Sequence, residues 1–157
     1  MKRPRSEGEE DPMARVETVM KSAMCCRPDD TARDCARLMK EENIGFVPVC
    51  NEADEPVGTI TDRDLALRIL AEGRLLDAKL EDVMTPEVVS CKIGDDLRDA
   101  ERLMREHRKS RIMVCDEEGR LQGVISLSDI AEEEDEEVAG RTLREVASRE
   151  ISQPHAS

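Results

Sequence analysis

The sequence predicts an α/β protein, more narrowly α+β, built from two similar halves that each have the element order β-α-β-β-α. Two observations support this prediction. Four blocks of sequence recur in the same order about 65 residues later, and each half alternates helical and extended apolar patterns. A repeat of about 60 residues buries little apolar surface alone. We therefore expect the two repeats to pack around a pseudo-two-fold axis and to share a core.

The repeated blocks define the domain boundaries. The block ETVM at Glu17 returns as EDVM at Glu81, and three further pairs follow with a constant offset. These pairs are Cys26–Met39 with Cys91–Met104, Val47–Cys50 with Ile112–Cys115, and Gly58–Asp64 with Gly123–Asp129. We place repeat one at residues 13–75 and repeat two at residues 76–135. A disordered tail is expected at 1–12, and an acidic, partly helical tail at 136–157.

Each repeat begins with a short helical turn and an extended segment, AMCCR in repeat one and EVVSCK in repeat two. An amphipathic helix is predicted next, because apolar residues recur at helical spacing. They are Ala32, Cys35, Leu38 and Met39 in repeat one, and Leu97, Ala100, Leu103 and Met104 in repeat two. The acids before each helix predict its cap: Asp29 or Asp30 for the first, and Asp95 or Asp96 for the second.

Two short apolar runs separated by a charged turn complete the strands of each repeat and predict a hairpin. A second helix closes each repeat. In repeat one it is expected over Asp62–Ala71, ended by Gly73, and in repeat two it begins near Ser128. The tail has weak helical spacing at Leu143, Val146 and Ile151, which would let it dock on the body or on a partner.

Composition narrows the function. The net charge of −13 opposes binding to nucleic acid and to anionic membranes. Aromatic residues make up 1% of the chain, so no platform for stacked bases is expected. No run of about 18 apolar residues or secretory signal is present, so we expect a cytoplasmic protein with six reduced cysteines. The cysteines include no C-x-x-C pair, and no metal site is expected.

One motif is placed identically in both repeats, where the last strand meets the second helix. It consists of a glycine, a hydroxyl and an acid: Gly58, Thr61 and Asp64 in repeat one, and Gly123, Ser126 and Asp129 in repeat two. A hydroxyl at a helix start lies beside unpaired N–H groups that favour a phosphate, and an acid one turn later can accept from ribose hydroxyls. The glycine would let the backbone approach a ligand. The same spacing is also an ordinary capping arrangement, and both interpretations stay open.

The order of these blocks, the DDT before the first helix, VPV in the hairpin, and above all GTITDRDLALR and GVISLSDIA resemble CBS domains over about Glu17–Ala131. The whole resembles stand-alone bacterial CBS-pair proteins (Bateman modules). The resemblance implies two clefts between the repeats that hold AMP, ADP, ATP or S-adenosylmethionine. It implies that Asp64 or Asp129 binds the ribose and that the phosphate lies beside Thr61 or Ser126. It also implies that the adenine lies near the first strand of a repeat, at Met24 or Val89.

The two clefts are not expected to be equivalent. Relatives often carry a basic residue before the hairpin motif, and Arg111 stands there in repeat two, whereas repeat one has Phe46. Met113 also replaces the usual proline, which repeat one keeps as Pro48. A phosphate in either cleft would meet Arg63 or Arg111, and the sequence does not decide between them.

The leading interpretation is therefore a regulatory adenosine-nucleotide sensor with no obligatory cofactor. The alternative is a ligand-free structural or dimerisation module whose motif residues act only as caps. Either would form a homodimer through exposed helix faces, as pairs of this kind generally do, and would act on an unidentified regulated protein. No catalytic set of residues is expected, because His107 is the only histidine with a plausible place near a nucleophile. No attached enzyme domain is expected either.

Overall fold

The computed structural model describes residues 14–133 and 142–148. Repeat one begins with the short helix α1 (Val16–Val19), followed by the long helix α2 (Ala32–Glu42). The antiparallel hairpin of β1 (Phe46–Cys50) and β2 (Pro56–Thr61) follows. Helix α3 (Asp62–Leu65) continues into a π-helical stretch over Ala66–Leu70, and Gly73 follows with φ +69°.

Repeat two has the same order of elements, with one strand added between its first two helices. They are α4 (Leu80–Val83), β3 (Ser90–Lys92), α5 (Leu97–His107), β4 (Arg111–Cys115), β5 (Leu121–Ser126) and α6 (Leu127–Glu133). Strand β3 runs parallel to β4, which pairs antiparallel with β5. A bulge lies before Cys115 in β4 and before Cys50 in β1, so even the irregularities of the sheets are repeated. The predicted α+β class is confirmed, and the predicted β-α-β-β-α order is found in repeat two.

The first strand of repeat one is a departure from the prediction. Cys26 makes only a single parallel bridge to Val49, where repeat two has the strand β3. In repeat two the N–H groups of Met113 and Ile93 donate to Val89 and Cys115. The corresponding residues of repeat one are Pro48 and Pro28, which have no N–H to donate. Because these two hydrogen bonds cannot form, the strand predicted at Cys26 is reduced to a single bridge.

The prediction for the cap of α2 is wrong, and that for α5 is right. Thr31, not Asp29 or Asp30, accepts from the N–H of Asp34, whose side chain accepts from the N–H of Thr31 in return. Asp30 instead accepts from the N–H of Arg27 in the preceding turn. Helix α5 has the predicted cap, Asp96, in the same reciprocal arrangement with its own N3 acid.

The two apolar cores exchange their leading helices. Val16 of α1 is fully buried in the core of repeat two, beside Leu97 and Ile125. Leu80 and Val83 of α4 are buried in the core of repeat one. Each core therefore includes residues from both of the predicted repeats, 13–75 and 76–135. This exchange ties the repeats together, since unfolding one would expose apolar surface of the other.

Residues 142–148 form a further helix, α7, which lies on repeat two. Val146 is buried in that core, whereas Leu143 is 56% exposed. The hydroxyl of Thr142 donates to Glu101 Oε1 of α5 at 2.9 Å, and both residues are buried. Part of the predicted tail therefore docks on the body of the molecule. The expected disorder of residues 1–12, and the position of Ile151, fall outside the described residues.

The cysteines behave as packing residues. Five of them are buried and Cys25 is partly exposed, and all are free thiols. Burial raises the pKa of the Cys91 thiol to about 12 and that of Cys50 likewise to about 12, which favours their protonated form. Within residues 14–133 and 142–148, no group of three or more potential ligands could hold a metal ion, and no helix is long and apolar enough to cross a bilayer.

Candidate functional site

Two clefts lie between the repeats. Cleft A, of about 330 Å³, is lined from both repeats, by Thr61, Arg63 and Asp64 of repeat one and by residues including Val89 and Arg111 of repeat two. Cleft B, of about 340 Å³, is its pseudo-symmetric counterpart. Its lining includes Met24, Pro48, Arg111, Ser126 and Asp129. Each is at the lower end of the size range of small-molecule sites.

The motif of repeat one forms a reciprocal cap at the rim of cleft A. Thr61 Oγ1 accepts from the N–H of Asp64 at 3.0 Å, and Asp64 Oδ2 accepts from the N–H of Thr61 at 2.9 Å. The other carboxylate oxygen, Oδ1, lies 3.9 Å from Arg68 Nε, a long ion pair. Arg68 itself donates to the carbonyls of Val83 and Met84. The carboxylate thus has one oxygen committed to the cap and one that is only loosely held.

The motif of repeat two makes the same cap but has a closer ionic partner. Ser126 and Asp129 exchange the equivalent two hydrogen bonds, and Asp129 Oδ1 also lies 3.1 Å from Lys21 Nζ. Burial would raise the pKa of Asp129, but the bonds from Ser126 and the contact with Lys21 outweigh it and hold that pKa below its ordinary value. In cleft B the ionised carboxylate is therefore already paired with a cation of the same chain.

The two motif glycines do not line either cleft, which corrects one element of the sequence-based hypothesis. A Cβ on Gly58 would lie 2.8 Å from the carbonyl oxygen of Thr85, and one on Gly123 would lie 2.7 Å from that of Lys21. At both sites the last strand of one repeat forms a bridge with the chain that leads into the other repeat. Each glycine therefore permits a close approach between chain segments, rather than between the backbone and a ligand.

The number of arginines distinguishes the clefts, whereas the net charge of their linings does not. Cleft A is lined by three cations, Arg63, Lys109 and Arg111, and by three acids, Asp62, Asp64 and Glu87. Cleft B is lined by two cations, Lys21 and Arg111, and by two acids, Glu42 and Asp129. Cleft A thus has two arginines that can donate to a phosphate, and cleft B has one.

Phe46 and Arg111 occupy equivalent positions in the repeats and lie between the clefts, because both residues line both of them. Arg111 is exposed and can therefore reach a ligand in either cleft. The expected inequivalence of the clefts is thus visible in the residues of their shared wall. Arg63 and Arg111 both line cleft A, so a phosphate there could contact either of them.

Sequence reasoning missed five charged residues that line the clefts: Lys21, Glu42, Asp62, Glu87 and Lys109. Lys21 has Thr85 as its counterpart in the repeat alignment, so comparing the two leading segments would have revealed this difference. Lys109 Nζ lies 3.7 Å from Glu87 Oε2, and His107 Nδ1 lies 3.6 Å from Glu87 Oε1.

The chain belongs to the CBS domain family, whose sequence pattern matches residues 16–71 and 80–136. It is thus a CBS pair, a regulatory type of module. It is 34% identical over 136 residues to the CBS domain-containing protein YhcV of Bacillus subtilis, covering 86% of this chain and 96% of that protein. Such relatives are stand-alone CBS proteins.

Other relatives are longer. The chain is 32% identical over 119 residues to the uncharacterized protein MK0525 of Methanopyrus kandleri, covering 75% of this chain but only 61% of that protein. It is 36% identical over 114 residues to the inosine-5'-monophosphate dehydrogenase of Methanocaldococcus jannaschii, covering 73% of this chain and 22% of that enzyme. The match to the dehydrogenase is therefore confined to a small part of it.

Solved structures share the fold. The CBS domain protein TA0289 from Thermoplasma acidophilum has a TM-score of 0.75 at 20% identity, covering 89% of this chain and 78% of that one. The CBS domain pair of protein MJ0100 has a TM-score of 0.68 at 23% identity, covering 77% of this chain and 95% of that one. The latter was crystallised with 5'-methylthioadenosine and S-adenosyl-L-methionine. At these identities the comparison establishes the fold.

Proposed function

We propose that this chain is a non-catalytic, cytoplasmic sensor that binds an adenosine ligand in cleft A. The ligand class comprises AMP, ADP, ATP and S-adenosylmethionine. The observation that carries the proposal is the arrangement of Asp64 and Thr61 at the rim of a cleft whose opposite wall, from the other repeat, includes Val89 and Arg111. The CBS domain pair of MJ0100, whose fold is similar, was crystallised with two adenosine compounds, which supports the same ligand class here.

Each part of cleft A has chemistry suited to one part of the ligand. The loosely held Oδ1 of Asp64 would accept from the ribose hydroxyls, and the hydroxyl of Thr61 can donate its own proton while its oxygen accepts from the backbone. Arg63 and Arg111 would hold phosphate. Aliphatic and thioether surface from Val89 and Met113 would cover the adenine, in place of the aromatic residues that this chain nearly lacks.

Cleft A is preferred over cleft B because of Lys21. A ribose in cleft B would have to compete for Asp129 with an ion pair whose atoms are 3.1 Å apart, whereas the ion pair of Asp64 is 3.9 Å long. A ligand that binds one arrangement of the repeats more tightly than another would shift their relative positions and thereby signal to a regulated protein.

A ligand-free structural module is the second candidate function. The observation in its favour is that both motifs form complete reciprocal caps, so their residue types are explained without any ligand. The two candidates differ in one measurable property, which is nucleotide affinity.

Titration calorimetry with AMP, ATP and S-adenosylmethionine tests the proposal. At least one of them should bind, and Asp64→Asn should weaken its binding roughly tenfold or more, because a charge-assisted hydrogen bond becomes a neutral one. The amide oxygen of asparagine can still accept from the N–H of Thr61, so folding should be retained. Asp62→Asn is the matched control, because Asp62 lines the same cleft two residues earlier in the chain and is assigned no contact with the ligand. No heat from any of the three would favour the structural module.

A further inference from the structure

Two pairs of cysteines interact in repeat one, on opposite sides of its first segment. The Cys35 thiol donates to Cys26 within the apolar core of the repeat. The Cys50 thiol, at the end of β1, donates to Cys25, and Cys50 belongs to neither apolar core. Of the six cysteines, all of them within the described residues, Cys25 alone is partly exposed. Solvent therefore reaches the second pair and not the first.

Backbone hydrogen bonds place Cys25 beside the end of β1. The N–H of Cys26 donates to the carbonyl of Pro48 at 3.0 Å, and the N–H of Cys50 donates to that of Cys26 at 2.9 Å. Cys26 and Val49, the two residues of this parallel bridge, are both buried in the core. Side chains alternate along an extended chain, so Cys25 and Cys50 both point to the opposite face, where their thiols meet.

Repeat two makes the same contact with a hydroxyl in place of one thiol. The repeat alignment places Ser90 at the position of Cys25, and Cys115 at that of Cys50. The hydroxyl of Ser90 donates to Cys115, and Ser90 is partly exposed, as Cys25 is. The contact is therefore a feature of both repeats, but in repeat one both partners are thiols, which can be oxidised to a disulfide.

The first segment of repeat one is also held less firmly than β3, its counterpart in repeat two, because Pro28 and Pro48 cannot donate. A segment held by a single bridge can adjust until two sulfur atoms reach the separation of about 2.0 Å that a disulfide requires. A disulfide would supply a covalent link where those backbone bonds are missing. Met24 and Pro48 line cleft B, so the link would also fix one wall of that cleft.

Exposure and burial give the two thiols different roles. Cys25 is partly exposed and meets an oxidant first, whereas Cys50 is fully buried beside it. Burial raises the pKa of the Cys50 thiol to about 12, so Cys50 keeps its proton until Cys25 has reacted. The guanidinium of Arg27 donates to the carbonyls of Cys50 and Asn51 and interacts with both thiols. A neighbouring arginine is typical of reactive cysteines.

We propose that Cys25 and Cys50 form a reversible disulfide within one chain when the protein meets hydrogen peroxide, and that this bond fastens the first segment of repeat one to β1. The Cys25 sulfur attacks one peroxide oxygen, becomes a sulfenic acid and releases hydroxide, which forms water with the proton that the Cys25 thiol has lost. The Cys50 sulfur then attacks the Cys25 sulfur and displaces a second hydroxide, which takes the Cys50 proton.

The reaction converts two thiols and one peroxide into one disulfide and two waters, and the two electrons that the thiols lose reduce the peroxide. A dithiol reverses it by thiol–disulfide exchange. The reaction requires no nucleotide and stands independently of the proposed ligand.

Thiol counting and mass spectrometry of the full chain test the proposal. Brief treatment with a small excess of hydrogen peroxide should remove two of the six thiols. It should lower the mass by about 2 Da, and dithiothreitol should restore both. Non-reducing tryptic digestion should yield a peptide of residues 22–33 linked to one of residues 41–63. The oxidised chain should have a Tm about 5–10 °C above the reduced chain, because the bond closes a loop in the unfolded state.

Cys25→Ser is the informative variant, because it gives repeat one the serine–cysteine contact that repeat two already has. Circular dichroism should show that it folds, and peroxide should neither link its peptides nor raise its Tm. Cys115→Ser is the matched control, since it removes the equivalent thiol of repeat two and should leave the oxidised product unchanged.

Four results would overturn the proposal. The first is a wild-type chain that keeps all six thiols under peroxide. The second is a disulfide in another place, either between two chains or joining residues 22–33 to residues 34–37, the peptide of Cys35. The third is a linked product that still forms in folded Cys25→Ser or is lost in Cys115→Ser. The fourth is an oxidised chain whose Tm is no higher than that of the reduced chain.

Discussion

Replacing Gly58 by alanine should destabilise the protein by forcing apart the two segments that cross there. The added Cβ would lie 2.6 Å from Met84 Sδ and 2.8 Å from the carbonyl oxygen of Thr85. The methionine side chain can move, but the carbonyl is held, because Thr85 and Thr59 exchange two backbone hydrogen bonds of 2.9 Å. Overpacking of this kind costs about 1–3 kcal/mol, and reduced entropy of the unfolded chain returns about 0.4–1 kcal/mol.

The net loss should therefore be about 1–2 kcal/mol, or a decrease in Tm of about 3–8 °C for a domain of this size. Thermal and urea unfolding monitored by circular dichroism measure it. Gly45→Ala is the matched control, because its Cβ would meet only the carboxylate of Asp62, the end of an exposed side chain that can rotate away. The reasoning is contradicted if Gly58→Ala unfolds at the wild-type midpoint, or if Gly45→Ala loses as much stability as Gly58→Ala. Either result would mean that the chain segments at Thr59 and Thr85 can move apart to admit the added methyl group.

Two further predictions concern Asp129 and its partner. The folded-state pKa of Asp129 is depressed, so its stabilising contribution is present above the unfolded-state pKa of about 3.9 and is lost as pH falls through the folded-state pKa. The difference in urea midpoint between wild type and Asp129→Asn should therefore be larger at pH 7 than at pH 2, and a difference that grows on acidification would contradict this account. Lys21→Ala should release Asp129 for a ligand and raise the nucleotide stoichiometry from one to two per chain. An unchanged stoichiometry would show that Lys21 is not what closes cleft B.

The repeat and its helices could be predicted because each rests on local pattern. The apolar stripes of α2 and α5 bury six of the eight predicted residues, including Cys35, Met39, Leu97 and Met104, and Leu38 and Leu103 are half-buried. The missing strand of repeat one could also have been predicted, because Pro28 and Pro48 are visible in the sequence and neither can donate. The cap of α2 was misjudged since Thr31, Asp30 and Asp29 are all competent caps, and only the chain's path selects among them.

The exchange of leading helices could not be predicted, because a short apolar turn such as Val16–Val19 carries no mark of which core it enters. The two glycines of the motif were misinterpreted for a similar reason. Sequence shows that a close approach is needed at Gly58 and Gly123, but not what approaches. The site residues contributed by distant segments, Lys21 and Glu87, depend on the same tertiary path.

Methyl NMR with and without AMP, ATP or S-adenosylmethionine locates the ligand most directly. The account predicts that the methyl signals of Val89 and Met113, in the wall of cleft A, shift on addition of the adenosine ligand that binds, while those of Val146 and Leu143 on repeat two stay in place. Shifts centred on Leu75 and Leu76, which line neither cleft, or no shift at any methyl group with millimolar ligand, would contradict the assignment of cleft A as an adenosine site.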